Sequence, residues 1–348
     1  GFCMFKRVKK VMAFTLALTM LMGTGTMAFA AENESEPVCA EENTVDSKDV
    51  VVDSKIIDDI LSSGLVESES FTENVVPIES INGRFAINQV TDEPALASVA
   101  GDQYEPNNSF ATATSGLTGR KIAATLYEGD VDWYEINITD TSLDYAFILM
   151  NIPNGCDYDM VVVNSDGAGY AKFQEGTTAE SFYLTFNEIG TFYVGVQAYS
   201  GYSTSPYWLY YGPAIQNGST GWRDPGLSYN FGNVPRGSSA KSVPAQNINL
   251  TNDSSIPDGA VLSKIRITDE GTNREWAGFY KYLRTSSGNT FSQIGNLEVM
   301  TIPEDQYYVK QNWSLWGTIQ YSEYFTWQPR YFIEYKFVVA PQTLFYVN

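Results

Sequence analysis

The chain has 348 residues, 41 acidic against 21 basic side chains, a net charge of −20, no histidine and three cysteines. The missing imidazole excludes a Ser-His-Asp triad, a Cys-His pair, an H-E-x-x-H zinc site and a His-ligated haem. The acidity argues against nucleic acid and anionic membrane surfaces as partners, and three cysteines are too few for a disulfide framework.

Lys6, Arg7, Lys9 and Lys10 precede an apolar run at 11–22, and Ala28, Phe29 and Ala30 follow it. This pattern predicts a secretory signal peptide over 1–30, cleaved before Ala31. The run is too short for a membrane span, and no later stretch is apolar enough for one, so no membrane insertion is expected after cleavage. The protein is expected to be secreted or held at a cell surface. Cleavage removes Cys3 and leaves Cys39 and Cys156, which could pair in an oxidising compartment, although Cys39 sits in a segment that reads as disordered.

Residues 31–100 carry 16 acidic and 3 basic side chains and neither Trp nor Tyr. They read as a mostly disordered acidic linker or pro-segment, with one short helix at 54–61. From 101 to 217 the texture changes. Residues 134–138, 182–186 and 192–198 alternate apolar with polar, and turns rich in Gly, Asn, Asp and Pro separate them. Residues 218–348 continue in this style with a balanced charge. The fold class expected is therefore all-β, with two tandem antiparallel β-sandwiches over 101–217 and 218–348, the first jelly-roll-like.

Two clusters of oxygen-bearing side chains open the first sandwich. One runs from Asp102 to Ser109, the other from Gly129 to Tyr134. Glu105, Asn107, Asn108, Asp130 and Asp132 are hard-oxygen donors of the kind calcium takes, and so many acids together repel one another without a cation. Asp157 and Asp159 share one face of an expected strand and read as solvent-facing. In the strand at 192–199, Tyr193, Gln197 and Tyr199 are expected to point outward. In the strand at 207–211, Trp208 and Tyr210 are expected to do the same. Paired as a hairpin, these strands would set Tyr199 opposite Trp208 and Gln197 opposite Tyr210. The result would be an aromatic strip suited to an extracellular polypeptide or polysaccharide. The aromatic cluster at 313–332 reads as core and inter-domain packing.

The order and spacing of several pieces resemble a known family. They are Tyr104-Glu105-Pro106-Asn107-Asn108-Ser109-Phe110, then Gly129-Asp130-Val131-Asp132-Trp133-Tyr134, then Asp157-Tyr158-Asp159-Met160 with Ser165-Asp166-Gly167. Gly190-Thr191-Phe192-Tyr193-Val194-Gly195-Val196 and Pro206-Tyr207-Trp208-Leu209 complete the set. Residues 102–211 thus resemble the bacterial pre-peptidase C-terminal domain, the family that includes the collagen-binding domains of bacterial collagenases. The resemblance implies a small jelly-roll-like sandwich, usually appended to secreted peptidases. In some members it binds calcium, here through Glu105, Asn107, Asn108 and Asp132 with Asp130 beside them. The chain departs from the pattern at Asn108 and Gln103, where relatives carry acids.

The function expected is that of an exported, non-catalytic binding or accessory protein, with calcium as the candidate stabilising ion. Two alternatives stand beside it. One is a carboxylate-based glycosidase, for which Glu275, Glu298, Glu304, Asp305 and Glu334 are candidates in number only. The other is a stand-alone remnant of a secreted peptidase.

Overall fold

The computed structural model describes residues 67–77, 102–272 and 275–347. The chain separates into Gly1–Val51 and Val52–Asn348, and everything described belongs to the second unit. The expected signal peptide and the helix at 54–61 lie outside the described residues.

The first sandwich is built from β1 (Ser68–Ser70), β2 (Val76–Pro77), β3 (Ile122–Leu126), β4 (Val131–Ile138), β5 (Asp144–Met150), β6 (Asp157–Asn164), β7 (Ala168–Tyr170), β8 (Glu180–Thr185), β9 (Gly190–Ser200) and β10 (Ser203–Pro213). One sheet has the order β1-β8-β5-β10-β3, the other β2-β7-β6-β9-β4. The chain crosses between sheets at most of its turns, which is jelly-roll wiring. All pairs are antiparallel except β1 with β8. The core between the sheets follows the alternation of each strand. Tyr134, Ile136 and Ile138 meet Phe192, Val194 and Val196, and Tyr207, Leu209 and Tyr211 close over them.

One part of the expected linker belongs to this sandwich. β1 pairs with β8, and a single helical turn, α1 (Phe71–Asn74), plugs Phe71 into the core. The Phe71 ring lies 5.3 Å from Phe186 and 5.2 Å from Phe192. The expectation of disorder is thus corrected for 67–77. A single buried aromatic anchors this polar stretch, too little to register in its composition.

The second module comprises β11 (Ile215–Ser219), β12 (Tyr229–Val234), β13 (Lys241–Ser242), β14 (Gln246–Asn249), β15 (Val261–Ile267), β16 (Gly271–Thr272), β17 (Trp276–Ala277), β18 (Tyr280–Arg284), β19 (Thr290–Ile294), β20 (Asn312–Ile319), β21 (Tyr321–Trp327) and β22 (Tyr331–Val338). They form three sheets around one core. β11-β22-β15 is one, β12-β21-β16 with β17 the second, and β13-β20-β18-β19 with β14 the third. β11 belongs to this module, so the expected boundary at 217/218 falls inside a strand. Half of the aromatic cluster supplies the core: Trp313, Phe325, Trp327 and Tyr331 are buried, and Tyr229 stacks on Trp327 at 5.0 Å, whereas Phe332 faces outward and Tyr324 is exposed.

The two modules share apolar surface. Ala146, Ile148, Tyr210 and Ala214 join the core of the second module, and the Tyr183 hydroxyl donates to Val339 O at 2.9 Å. The outer face of β5 and β10 is therefore covered. Among the described residues no helix is long and apolar enough to cross a membrane.

Candidate functional site: a carboxylate–amide cluster at the start of β4

A tight turn between β3 and β4 sets the first two acids. Asp130 N donates to Tyr127 O at 3.1 Å, and Tyr127 N donates to Asp130 Oδ2 at 3.3 Å. Gly129 takes φ +80° there, a left-handed conformation that a side chain would oppose. Asp132 follows two residues later on the inward face of β4. The segment from Asp102 then folds alongside β4. Trp133 N donates to Asn107 O at 2.9 Å, and Thr114 N to Trp133 O at 2.9 Å. Asp102 holds the start of this segment by accepting from Tyr104 N at 2.9 Å and Thr125 N at 2.6 Å. The Glu105–Pro106 peptide is cis.

These contacts bring Glu105, Asp130 and Asp132 together, with one oxygen from each within 4.8 Å of the others. Asn107 is fully buried beside them, and Asn108, with its NH2 turned to Asp130, donates to Asp130 Oδ1 and to Val131 O. The five residues singled out from sequence thus form one cluster. One terminal atom of the Asn107 amide lies 3.2 Å from Glu105 Oε2 and 3.0 Å from Asp132 Oδ1. As oxygen, that atom adds another donor to the cluster and calls for a cation. Turned over, the amide NH2 bonds both carboxylates without one.

Electrostatics sharpen the picture. Burial first, then the charge of Glu105, pushes Asp130 up to about 7. Burial, then Asp130, holds Asp132 well above the ordinary carboxylate range. Among the described residues no lysine or arginine forms an ion pair with these three acids. Asp132 is fixed from behind by Tyr207, whose hydroxyl donates to Oδ2. Tyr134, 3.0 Å from the Tyr207 hydroxyl, completes that backing. The donor set is oxygen only, which suits calcium and not zinc or copper.

The expected aromatic strip does not form, and Trp208 and Tyr210 lie apart from Tyr193, Gln197 and Tyr199. β9 pairs with β4 and β6, and β10 with β3 and β5, so the two strands sit in opposite sheets. The chain switches sheets at Gly201, with φ +73°. A Cβ there would lie 2.5 Å from Gly155 O, so the corner is packed too closely for a side chain. Tyr210 is fully buried against the second module. Trp208 packs there too, edge-on to Phe345 at 5.1 Å under the Lys121 ammonium. Tyr193 stacks on Phe110 at 4.3 Å, and Gln197 is half-buried opposite Val131. Only Tyr199 is well exposed, at 53 %, where it lines a shallow cleft with Asp157 and Glu175.

A second acid pair was misjudged from sequence. Asp157 and Asp159 do share a face of β6, but both are buried, because the β7–β8 connection closes over that face. Glu180 supplies the clasp. Its Oε2 accepts from Met160 N at 2.7 Å and its Oε1 from Gln174 N at 3.0 Å. Burial, opposed by those two N–H groups and reinforced by Asp159, pushes it up to about 8. Glu180 escaped sequence reasoning because it sits at a strand start like many solvated acids. Cys156 is a buried free thiol.

Fold and site together define an all-β protein of two sandwich-like modules, the first bearing a buried cluster of carboxylates and amides. No family model matches the chain, and no curated protein matches it. Among solved structures, it is similar to a candidate secreted protein from Eubacterium rectale, at 13% identity, covering 63% of this chain and 74% of that one with a TM-score of 0.28. A likeness that slight transfers no property.

Proposed function

We propose that this is an exported, non-catalytic binding protein whose first module is held by a calcium ion. Glu105, Asn107, Asp130 and Asp132 would ligate it, with Asn108 supporting Asp130. The observation that carries the reading is the convergence of three carboxylates, two of them buried, with no lysine or arginine among the described residues paired to them. Burying unpaired charge is costly, and a divalent ion offsets it while fastening residues 102–114 to β4. The resemblance to the pre-peptidase C-terminal domain fits this reading, as does the signal-like sequence at 1–30 for export. A non-catalytic role is favoured because the other acid pair, Asp159 and Glu180, is enclosed, and Glu180 commits both oxygens to backbone N–H groups.

Differential scanning calorimetry of the protein in chelator and in millimolar calcium tests the metal. A rise in Tm with calcium, absent in Asp132→Asn, is expected. Coincident curves for the parent would overturn it.

A further inference from the structure

Charges that are already paired, one serine hydroxyl that is not, and rings at the edge meet in one cleft of the second module. It has a volume of about 810 Å³ and opens on the side of the β11-β22-β15 sheet. We propose that this cleft binds a segment of neutral glycan.

The charge pattern selects a neutral ligand. Glu334 is satisfied by Arg266 at 2.7 Å and Lys264 at 3.5 Å, and Lys336 by Asp305 at 2.7 Å. An acidic or basic polymer would have to displace these pairs. Hydrogen-bonding capacity comes instead from small neutral groups: Asn217, Ser219 and Ser263 line the cleft. Ser263 carries most weight. It lies where the register of β15 against β22 shifts, between Leu262 and Lys264. Its Oγ is enclosed yet has no hydrogen-bond partner in the protein. A sheltered hydroxyl with no partner costs stability unless something completes it.

The apolar side of the cleft is aromatic. Phe332 projects from the outer face of β22. Phe345 stands on the short 3-10 helix Pro341–Tyr346 and is 62 % exposed. Contact with Trp208 braces the Phe345 ring, so little freedom is lost when a ligand stacks on it. Sugars present hydroxyl edges and C–H faces, and this lining answers both. Strand addition by a peptide at the outer edge of β15 is obstructed, because that edge is already bridged to Val299 and Tyr308. The volume lies within the range of about 300–1,000 Å³ common for small-ligand sites.

The inference rests on the reading of the chain as an exported binder but not on the metal. The test is isothermal titration of the full chain with cellohexaose, xylohexaose and mannohexaose, beside polygalacturonate and gelatin, each in calcium and in chelator. Binding of at least one neutral hexasaccharide is expected, weakened about tenfold or more in Phe345→Ala and in Ser263→Val. Both variants should keep the parent's Tm within a few degrees, since Phe345 is exposed and the Ser263 hydroxyl makes no bond within the protein. Failure of all three neutral sugars, or binding untouched by both variants, overturns the proposal. Gelatin or polygalacturonate binding alone overturns it too, but leaves the binding-protein reading standing. Silence from every probe sinks both.

Discussion

Tyr207 in β10 and Asp132 in β4 belong to opposite sheets and meet across the core of the first sandwich, where the tyrosine hydroxyl donates to the inner carboxylate oxygen. Asp132 therefore faces two ways. One oxygen is held by the core and the other is turned to the cluster with Glu105, Asn107 and Asp130. Tyr207→Phe removes that support without opening a cavity. A loss of about 1–3 kcal/mol in unfolding free energy is expected by urea titration. Calcium affinity should also fall by about tenfold or more by calorimetry.

The acids of the cluster repel one another unless a cation joins them. At a pH above about 7, where Asp130 is ionised, Asp130→Asn should therefore raise Tm in chelator, by removing a charge beside Glu105, and should lower Tm relative to the parent in calcium. A sign reversal between the two buffers is the expected signature in calorimetric scans. The same sign in both buffers would count against the metal.

Glu180 predicts a pH dependence. Its carboxyl lies raised from 4.5 to about 8, mainly by burial, so the folded state holds the proton more tightly than the unfolded chain. Its contribution to stability is complete below about pH 4.5 and is lost as pH rises through about 8. Glu180→Gln keeps a neutral group in place. Urea unfolding from pH 5 to 9 should show a shallower decline for the variant than for the parent.

Two tyrosines once placed on the same surface strip should now behave differently. Tyr210 is fully buried where the modules meet, and Tyr210→Ala is expected to cost about 3–5 kcal/mol by analogy with other large aromatic deletions. Tyr199, half exposed, should change stability by no more than about 0.5 kcal/mol when replaced by alanine. Equilibrium unfolding of the two variants side by side makes the comparison.

Gly201 turns the chain from one sheet to the other. Gly201→Ala places a methyl against Gly155 O at a backbone angle that opposes it. More than about 1 kcal/mol of destabilisation is expected in the same unfolding assay.

Much of the architecture is local in origin. The alternation of Phe192, Val194 and Val196 with their polar neighbours identified β9 and its inward face, and Tyr207, Leu209 and Tyr211 did so for β10. The two acidic clusters were legible because donors close in sequence, joined by a turn and a strand start, stay close in space. Glu180 and Ser263 were not, since each gains its meaning from chain distant in sequence.

The sequence alone, through its period of two and its turn residues, determined an all-β chain and the cluster of five oxygen-bearing side chains that includes Glu105 and Asp132. Which sheet each strand entered was decided only in three dimensions, because alternation reports a strand's two faces and says nothing of its neighbours. Tyr199 and Trp208 show the difference. Each points away from the first core as the pattern requires. The close-packed corner at Gly201 sends one to an open face and the other beneath a second module.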